Sequence, residues 1–321
     1  MMKSALAALL AVSLVLAGCQ GAKSASDAYP SGPVTMTAGA NPGSGFDITI
    51  RAVVDALQKE KLVDVPLPVQ NRPGASGADF LATMVEQHKG DDNQVSVTSL
   101  SMMMNELRGT SKYGYDDVTM IARLMTEYFV VVTRFDSPYQ NLDDVMAAIK
   151  TDPTRVSVGA ANDDQAPFDL LVSAAGGHPS TINYVPFEGG GDQITALRTG
   201  AISVAIGGVS EFVSLLTSRD LQALGVLSED RLPGLDAPTA REQGLDVTLS
   251  NWRGLYGPPD MSKPAVQYWQ KVLSEMVQTP TWKDIADQNQ FTTTFMVGDE
   301  FQTFLGETQG DVKTALDEAH K

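Results

Sequence analysis

The chain has 321 residues, 43% of them hydrophobic and 19% charged, a balance that supports a globular protein with more than one core. Its 23 Lys and Arg stand against 39 Asp and Glu, a formal net charge of -16. No basic field is present to follow a phosphate backbone, which excludes nucleic acid as a partner.

Residues 1–19 read as a secretory leader: Lys3 gives a basic start, Ala5 to Leu16 an apolar run too short for a comfortable membrane span, and Leu-Ala-Gly-Cys closes it at Cys19, the one cysteine. This ending resembles the lipobox of bacterial lipoproteins, and the resemblance implies that Cys19 is lipidated and becomes the mature N-terminus. Residues 20–32, QGAKSASDAYPSG, are small and polar and read as a tether. Next, PVTMTAG alternates Val34, Met36 and Ala38 as a strand does, and the loop NPGSG leads into a helical period. Phe46, Ile50, Val53, Val54 and Leu57 share one helix face, with Asp47, Arg51 and Asp55 on another.

The unit recurs. VQNRPGASGADFLATMVEQ sets Leu81 and Val85 one turn apart behind glycines, and NQVSVTSLSMMMNEL leads Val95 and Val97 into Thr98, Ser99 and Ser101. RVSVGAANDDQAPFDLLVSAAGG places a strand at Val156 and Val158 before a small-residue loop and a helix closed by Gly176 and Gly177. INYVPFEGGGDQITALRTG and AISVAIGGVSEFVSLL repeat it. Alternation of this kind predicts mainly parallel sheets covered on both faces, with ligands beyond the carboxyl ends of the strands, where the glycine and serine loops fall. EYFVVVTRF breaks the rhythm: Tyr128 to Thr133 is expected to cross into a second domain, with the return at SNWRGLY, Ser250 to Tyr256. The expected division is 33–128 plus 251–321 against 129–250, with helices at Ala265 to Val277 and Pro280 to Gln288 completing the first unit behind the capping Thr279.

Catalytic machinery is not legible. His88, His178 and His320 are scattered without partners at ligand spacing, so no metal and no other cofactor is expected. Ser76 in PGASGA lacks the spacing of a nucleophile elbow, and GSG at Gly43 to Gly45 is neither a phosphate loop nor a full dinucleotide fingerprint. What remains is a set of neutral loops rich in backbone donors. The first amides of a helix have no internal partner and carry the positive end of its dipole, so they can hold a carboxylate without a basic side chain. Such donors act at about 3 Å, whereas surface charge is screened beyond roughly 8 Å.

In order along the chain, YPSGPVTMTAGANPGSGFDITIR, VQNRPGASGA, YGYDDVTMIARL, YVPFEGGGDQITALRTGAISVAIGG and NWRGLYGPPDMSKPAV resemble the solute-binding proteins of tripartite tricarboxylate transporters, also called Bug proteins. The likeness covers nearly all of the chain from about Tyr29 onward. It implies an α/β fold of the two-lobed periplasmic-binding-protein (Venus flytrap) type, type II-like, with two mixed sheets flanked by helices, closing on a small organic carboxylate. It also implies no enzymatic activity and delivery to membrane permease subunits from a lipid-anchored, monomeric receptor in the cell envelope; a sensor feeding a signalling partner is the alternative. By position, the resemblance places Gly43, Ser44, Gly45, Phe46 and Asp47 around one carboxylate and Thr98, Ser99 and Ser101 on the next loop. Ala160, Ala161 and Asn162 with Gly189, Gly190, Gly191 and Asp192 would close from the second lobe, and Trp252 and Arg253 would meet a second carboxylate or the opposite lobe. One departure stands out: the start of the second-lobe helix reads DDQAPFD, with Phe168 near the position of a family histidine and with Asp163 and Asp164 beside it. Two added acids argue against a highly charged tricarboxylate and for a smaller or partly aromatic one.

Overall fold

The computed structural model describes residues 29–319. The leader, Cys19, the tether up to residue 28 and His320 lie outside the described residues. The chain opens β1 (Thr35–Ala38), α1 (Gly45–Lys59), β2 (Val69–Asn71), α2 (Ala78–Gln87), β3 (Gln94–Ser99) and α3 (Ser101–Leu107), then runs into β4 (Thr119–Arg134). There follow α4 (Leu142–Thr151), β5 (Ser157–Ala160), α5 (Gln165–Ala174), β6 (Asn183–Pro186), α6 (Gly190–Thr199), β7 (Val204–Gly208), α7 (Val209–Thr217) and β8 (Leu221–Val226). The last elements are β9 (Ser250–Gly257), α8 (Lys263–Met276), α9 (Pro280–Asn289), β10 (Thr292–Val297) and α10 (Gly298–Ala319).

The strands are ordered β2-β1-β3-β9-β4-β7-β5-β6, with β8 and β10 also on β4. β4 is the axis. From Thr119 to Tyr128 it pairs antiparallel with β9, and β10 joins it there; from Phe129 to Arg134 it pairs with β7 and β8. Among the named strands, parallel pairing joins β1 with β2 and β3, and β5 with β6 and β7. The sheets are therefore mixed rather than mainly parallel, because the strands that pass between the two halves enter antiparallel to their neighbours.

β4 begins nine residues before the expected crossing run. Its first part, TMIARLMT, hides its alternation because the register with β9 slips twice, between Met120 and Ala122 and between Arg123 and Met125. The helices form for ordinary reasons. Ser44 caps α1, its hydroxyl accepting from the Asp47 amide, and Ile50, Val53 and Leu57 are fully buried against Trp269 and Trp282. Thr279 caps α9 in the same way through the Trp282 amide. Burial of each such aliphatic side chain contributes about 1.5–3 kcal/mol. A separate cluster joins α2, α3 and α10 to Trp252 and Tyr256 of β9. Among the described residues no helix is long and apolar enough to cross a membrane.

Candidate functional site

The loop before α1 and the loop before α6 meet face to face. A Cβ on Gly43 would lie 3.8 Å from Gly191 Cα, and one on Gly191 would lie 3.1 Å from the Pro42 carbonyl oxygen. Gly189 holds φ 136°, a backbone conformation open to glycine, at the cap of α6. Its φ turns the Gly190 amide toward the meeting point, where Asn41 Nδ2 also donates to Asp192 Oδ2 at 2.9 Å.

At the centre is a carboxylate that belongs to the chain itself. Glu211, in the first turn of α7, accepts on Oε1 from the amides of Gly45 (2.9 Å) and Gly190 (2.8 Å) and on Oε2 from that of Gly208 (3.0 Å). Three helix starts thus converge on one carboxyl group, two of them from the half containing α6 and α7 and one from the half containing α1. Beside it Arg253 of β9 is buried and ion-paired with the fully buried Glu127 of β4, which also accepts from the Ser210 hydroxyl at 2.8 Å. Asp163 and Asp164, just before α5, complete the group. Burial raises all three of Asp163, Asp164 and Glu211 above the usual carboxylate range, Asp164 the most, and neighbouring acids raise Asp164 and Glu211 further. Burial opposes the charge on Arg253, but Glu127 and Glu211 outweigh it and hold its proton more tightly than usual. Among the described residues no group of three or more His, Cys, Asp or Glu could hold a metal ion.

The structure brings together most of the residues singled out from the sequence, in roles more internal than expected. Gly43, Ser44 and Gly45 meet Gly189, Gly190 and Gly191, and the Arg253 guanidinium lies 5.5 Å from the Phe46 ring. Asp47 braces the loop: it accepts from the Gly43 amide at 2.9 Å, from Arg51 Nε at 2.8 Å and from Asn71 Nδ2 at 3.0 Å. Ser99 and Ser101 bond to each other at 3.0 Å, while Thr98 and Ser101 face a void of about 10 Å³ shared with Phe46, Ser76 and Asn105, the size of one water. Asn162 spans the interface through Nδ2 to Asn105 Oδ1 at 3.1 Å, and its carbonyl accepts from Arg108 at 3.1 Å. The Ala160 carbonyl accepts from Phe187, and that of Ala161 accepts from Asp164, within their own half. Trp252 stands apart, edge-on to Phe301 and Phe304 of α10 at 5.9 Å each.

Sequence reasoning missed Glu127, Glu211, Asn105 and Arg108. Glu127 carried a signal, a lone acid at the head of the apolar run EYFVVV, where only a buried partner makes a charge tolerable. Glu211 also carried one, an acid three residues beyond the glycine pair that ends a strand, in position to fold back on the helix start.

Residues 49–319 match the family model described as tripartite tricarboxylate transporter family receptor. Protein BugT of Bordetella pertussis is 25% identical over 287 residues, covering 85% of each chain. The solved periplasmic binding protein BugD superposes with a TM-score of 0.84 at 18% identity, over 91% of this chain and 99% of that one. MatC from Rhodopseudomonas palustris, solved with bound malate, superposes with a TM-score of 0.77 at 21% identity, over 89% and 99%. The architecture is that of a periplasmic binding protein.

Proposed function

This chain belongs to the tripartite tricarboxylate transporter receptor family, and from that premise we propose that it is an extracytoplasmic lipoprotein that captures a small organic carboxylate by lobe closure. It hands the solute to a tripartite tricarboxylate-type secondary transporter. Residues 33–128 with 251–321 form one lobe and 129–250 the other, a division supported by the change of β4 partners between Tyr128 and Phe129. Cys19, in the lipobox-like ending of the leader, carries the anchor.

One observation carries the reading. The amides of Gly45, Gly190 and Gly208 converge on the Glu211 carboxyl from both sides of the interlobe boundary. Donors at that spacing, in a place closed to water, are what a carboxylate needs. A solute carboxylate is read by the same amides when Glu211 withdraws from them. Four acids around one arginine set the limit on solute charge: Glu127, Glu211, Asp163 and Asp164 already surround Arg253. A solute with one or two negative charges fits that field, and a trianion meets repulsion. Malate in MatC is a precedent of this size.

A thermal-shift screen of mono-, di- and tricarboxylates tests this. Binding to the folded form at a hundredfold excess over Kd adds about 2.7 kcal/mol, which moves Tm by roughly 4 °C in a chain of this size. The expected result is a shift with at least one mono- or dicarboxylate and none with citrate. A screen in which no carboxylate moves Tm, or in which citrate moves it most, overturns the reading.

A further inference from the structure

A second cleft, of about 850 Å³, is lined by residues of β4 and β9 and of the α3, α5 and α10 helices. None of Gly43 to Asp47, Gly189 to Asp192, Glu211 or Arg253 lines it, while Ser101 and Asp163 lie on the border between it and the site described above. Its volume suits a molecule larger than a four-carbon acid, and Leu249, Leu170, Tyr184, Phe304 and Val312 give it a largely apolar wall.

Two side chains in that wall are incomplete. Arg123 is 9% exposed and Trp252 2%. Among the described residues Arg123 Nε and Trp252 Nε1 are both buried nitrogens with no hydrogen-bond partner. Arg123 reaches only neutral groups: Nη2 donates to Thr126 Oγ1 at 2.6 Å, Nη1 approaches the Met296 sulfur at 3.7 Å, and the guanidinium carbon lies 4.0 Å over the Phe304 ring. Among the described residues no carboxylate lies within 4.0 Å of it, whereas Arg253, the other buried arginine, has Glu127. A buried guanidinium is ordinarily paired, because an uncompensated charge out of water is costly. Burial accordingly lowers the Arg123 pKa. An indole N–H left without an acceptor is a second deficit in the same wall.

We infer that this cleft binds a monoanionic amphiphile, a single carboxylate on an apolar body of about ring size, with Arg123 and the Trp252 indole N–H as receivers of the anion. Phe304, Leu249 and Tyr184 cover the apolar body. The cleft disfavours a second negative charge, because three carboxyl groups, Asp163, Asp169 and Asp311, line it against two guanidinium groups, Arg123 and Arg108. The proposal stands on Arg123 and Trp252, not on the glycine loops, and shares Ser101 and Asp163 with the site described above.

The probe is 4-phenylbutyrate, titrated calorimetrically into the protein and into Arg123→Met and Trp252→Phe. The expected result is binding by the wild type, a loss of at least tenfold in affinity in Arg123→Met, and a loss of at least threefold in Trp252→Phe, which keeps the ring and removes only the N–H. The neutral isostere 4-phenylbutanol is expected to bind at least tenfold more weakly than the acid, and malate is expected not to compete. No binding by the wild type overturns the inference, as does equal binding of the alcohol, displacement of the probe by malate, or unchanged affinity in Trp252→Phe. Should Arg123→Met fail to fold, the alcohol and Trp252→Phe decide the question.

Discussion

Arg253→Met is expected to destabilise the protein by about 3–5 kcal/mol, the largest effect of any single substitution at the interlobe boundary. Methionine fills much of the same volume, so the loss is electrostatic rather than a cavity. The substitution strands Glu127, which is fully buried, and removes the cation that draws Asp163, Asp164 and Glu211 back toward ordinary acidity. The pH dependence follows in sign. Because those three pKa values are raised in the folded protein, the folded chain keeps protons that the unfolded chain has released, and stability grows as pH falls from neutral toward the ordinary carboxylate range. Without Arg253 the values rise further. The deficit of the variant is therefore greatest at neutral pH and above, and it shrinks on acidification. Urea midpoints of both proteins at about pH 7.5 and about pH 5 measure it. A deficit that is constant or grows toward pH 5 contradicts the assignment of Arg253 as the charge that holds this cluster together.

Gly189→Ala is expected to weaken solute binding at least about tenfold while leaving the protein folded. The added Cβ would lie 2.5 Å from Ser44 Cβ and 3.0 Å from Ser44 Cα. Neither is the end of a flexible side chain, so the two loops must part. The new residue also sits at φ 136°, which costs about 1–3 kcal/mol in the loop. Backbone strain and interlobe collision are separable by a second change. Ser44→Gly removes the nearer of the two atoms that the alanine would strike, and a glycine cap for α1 loses only a few tenths of a kcal/mol relative to serine. The double variant should recover most of the affinity for whichever carboxylate the screen identifies. If the double variant binds as weakly as Gly189→Ala alone, strain and not closure explains the loss.

Much of the architecture was legible because each strand-loop-helix unit carries its own punctuation. Val34, Met36 and Ala38 are fully buried in or beside β1, and Ser44 opens the first helix where the glycines end. The crossing strand was legible only in its second part, where Phe129 to Val132 face buried surroundings on both sides and read as a continuous apolar run. Its first part was masked by the two register slips. β10 and α10 escaped notice for a different reason: TTTFMV is half polar with none of its residues buried, and the described side chains of α10 are mostly solvent-facing, anchored by the buried Phe301 and Leu305. Such elements are held by tertiary packing and not by local pattern.

The candidate site divides the same way. Glycine and serine loops announce backbone donors, but it was the resemblance to a family that singled out Gly43 to Asp47 and Gly189 to Asp192 among them. Whether a donor is free or already satisfied depends on residues distant in sequence: Gly45 and Glu211 are 166 positions apart. No local rule relates them. Trp252 shows the converse, since its neighbour Arg253 points to the interlobe cluster while Trp252 itself lies on the opposite wall among Phe301 and Phe304. Alternation along β9 sends adjacent residues to opposite faces, and family position alone does not separate them.

The bond from Gly45 to Glu211 has a kinetic corollary. Under the proposed capture of a solute by these amides, the Glu211 carboxyl must leave Gly45 and Gly190 before a solute carboxylate can take its place. Capture is then gated: the observed association rate climbs with solute concentration at first and levels off at the speed of spontaneous release. Under the proposed role, scarce solute would leave uptake limited by encounter, and abundant solute would leave it limited by how fast Glu211 lets go.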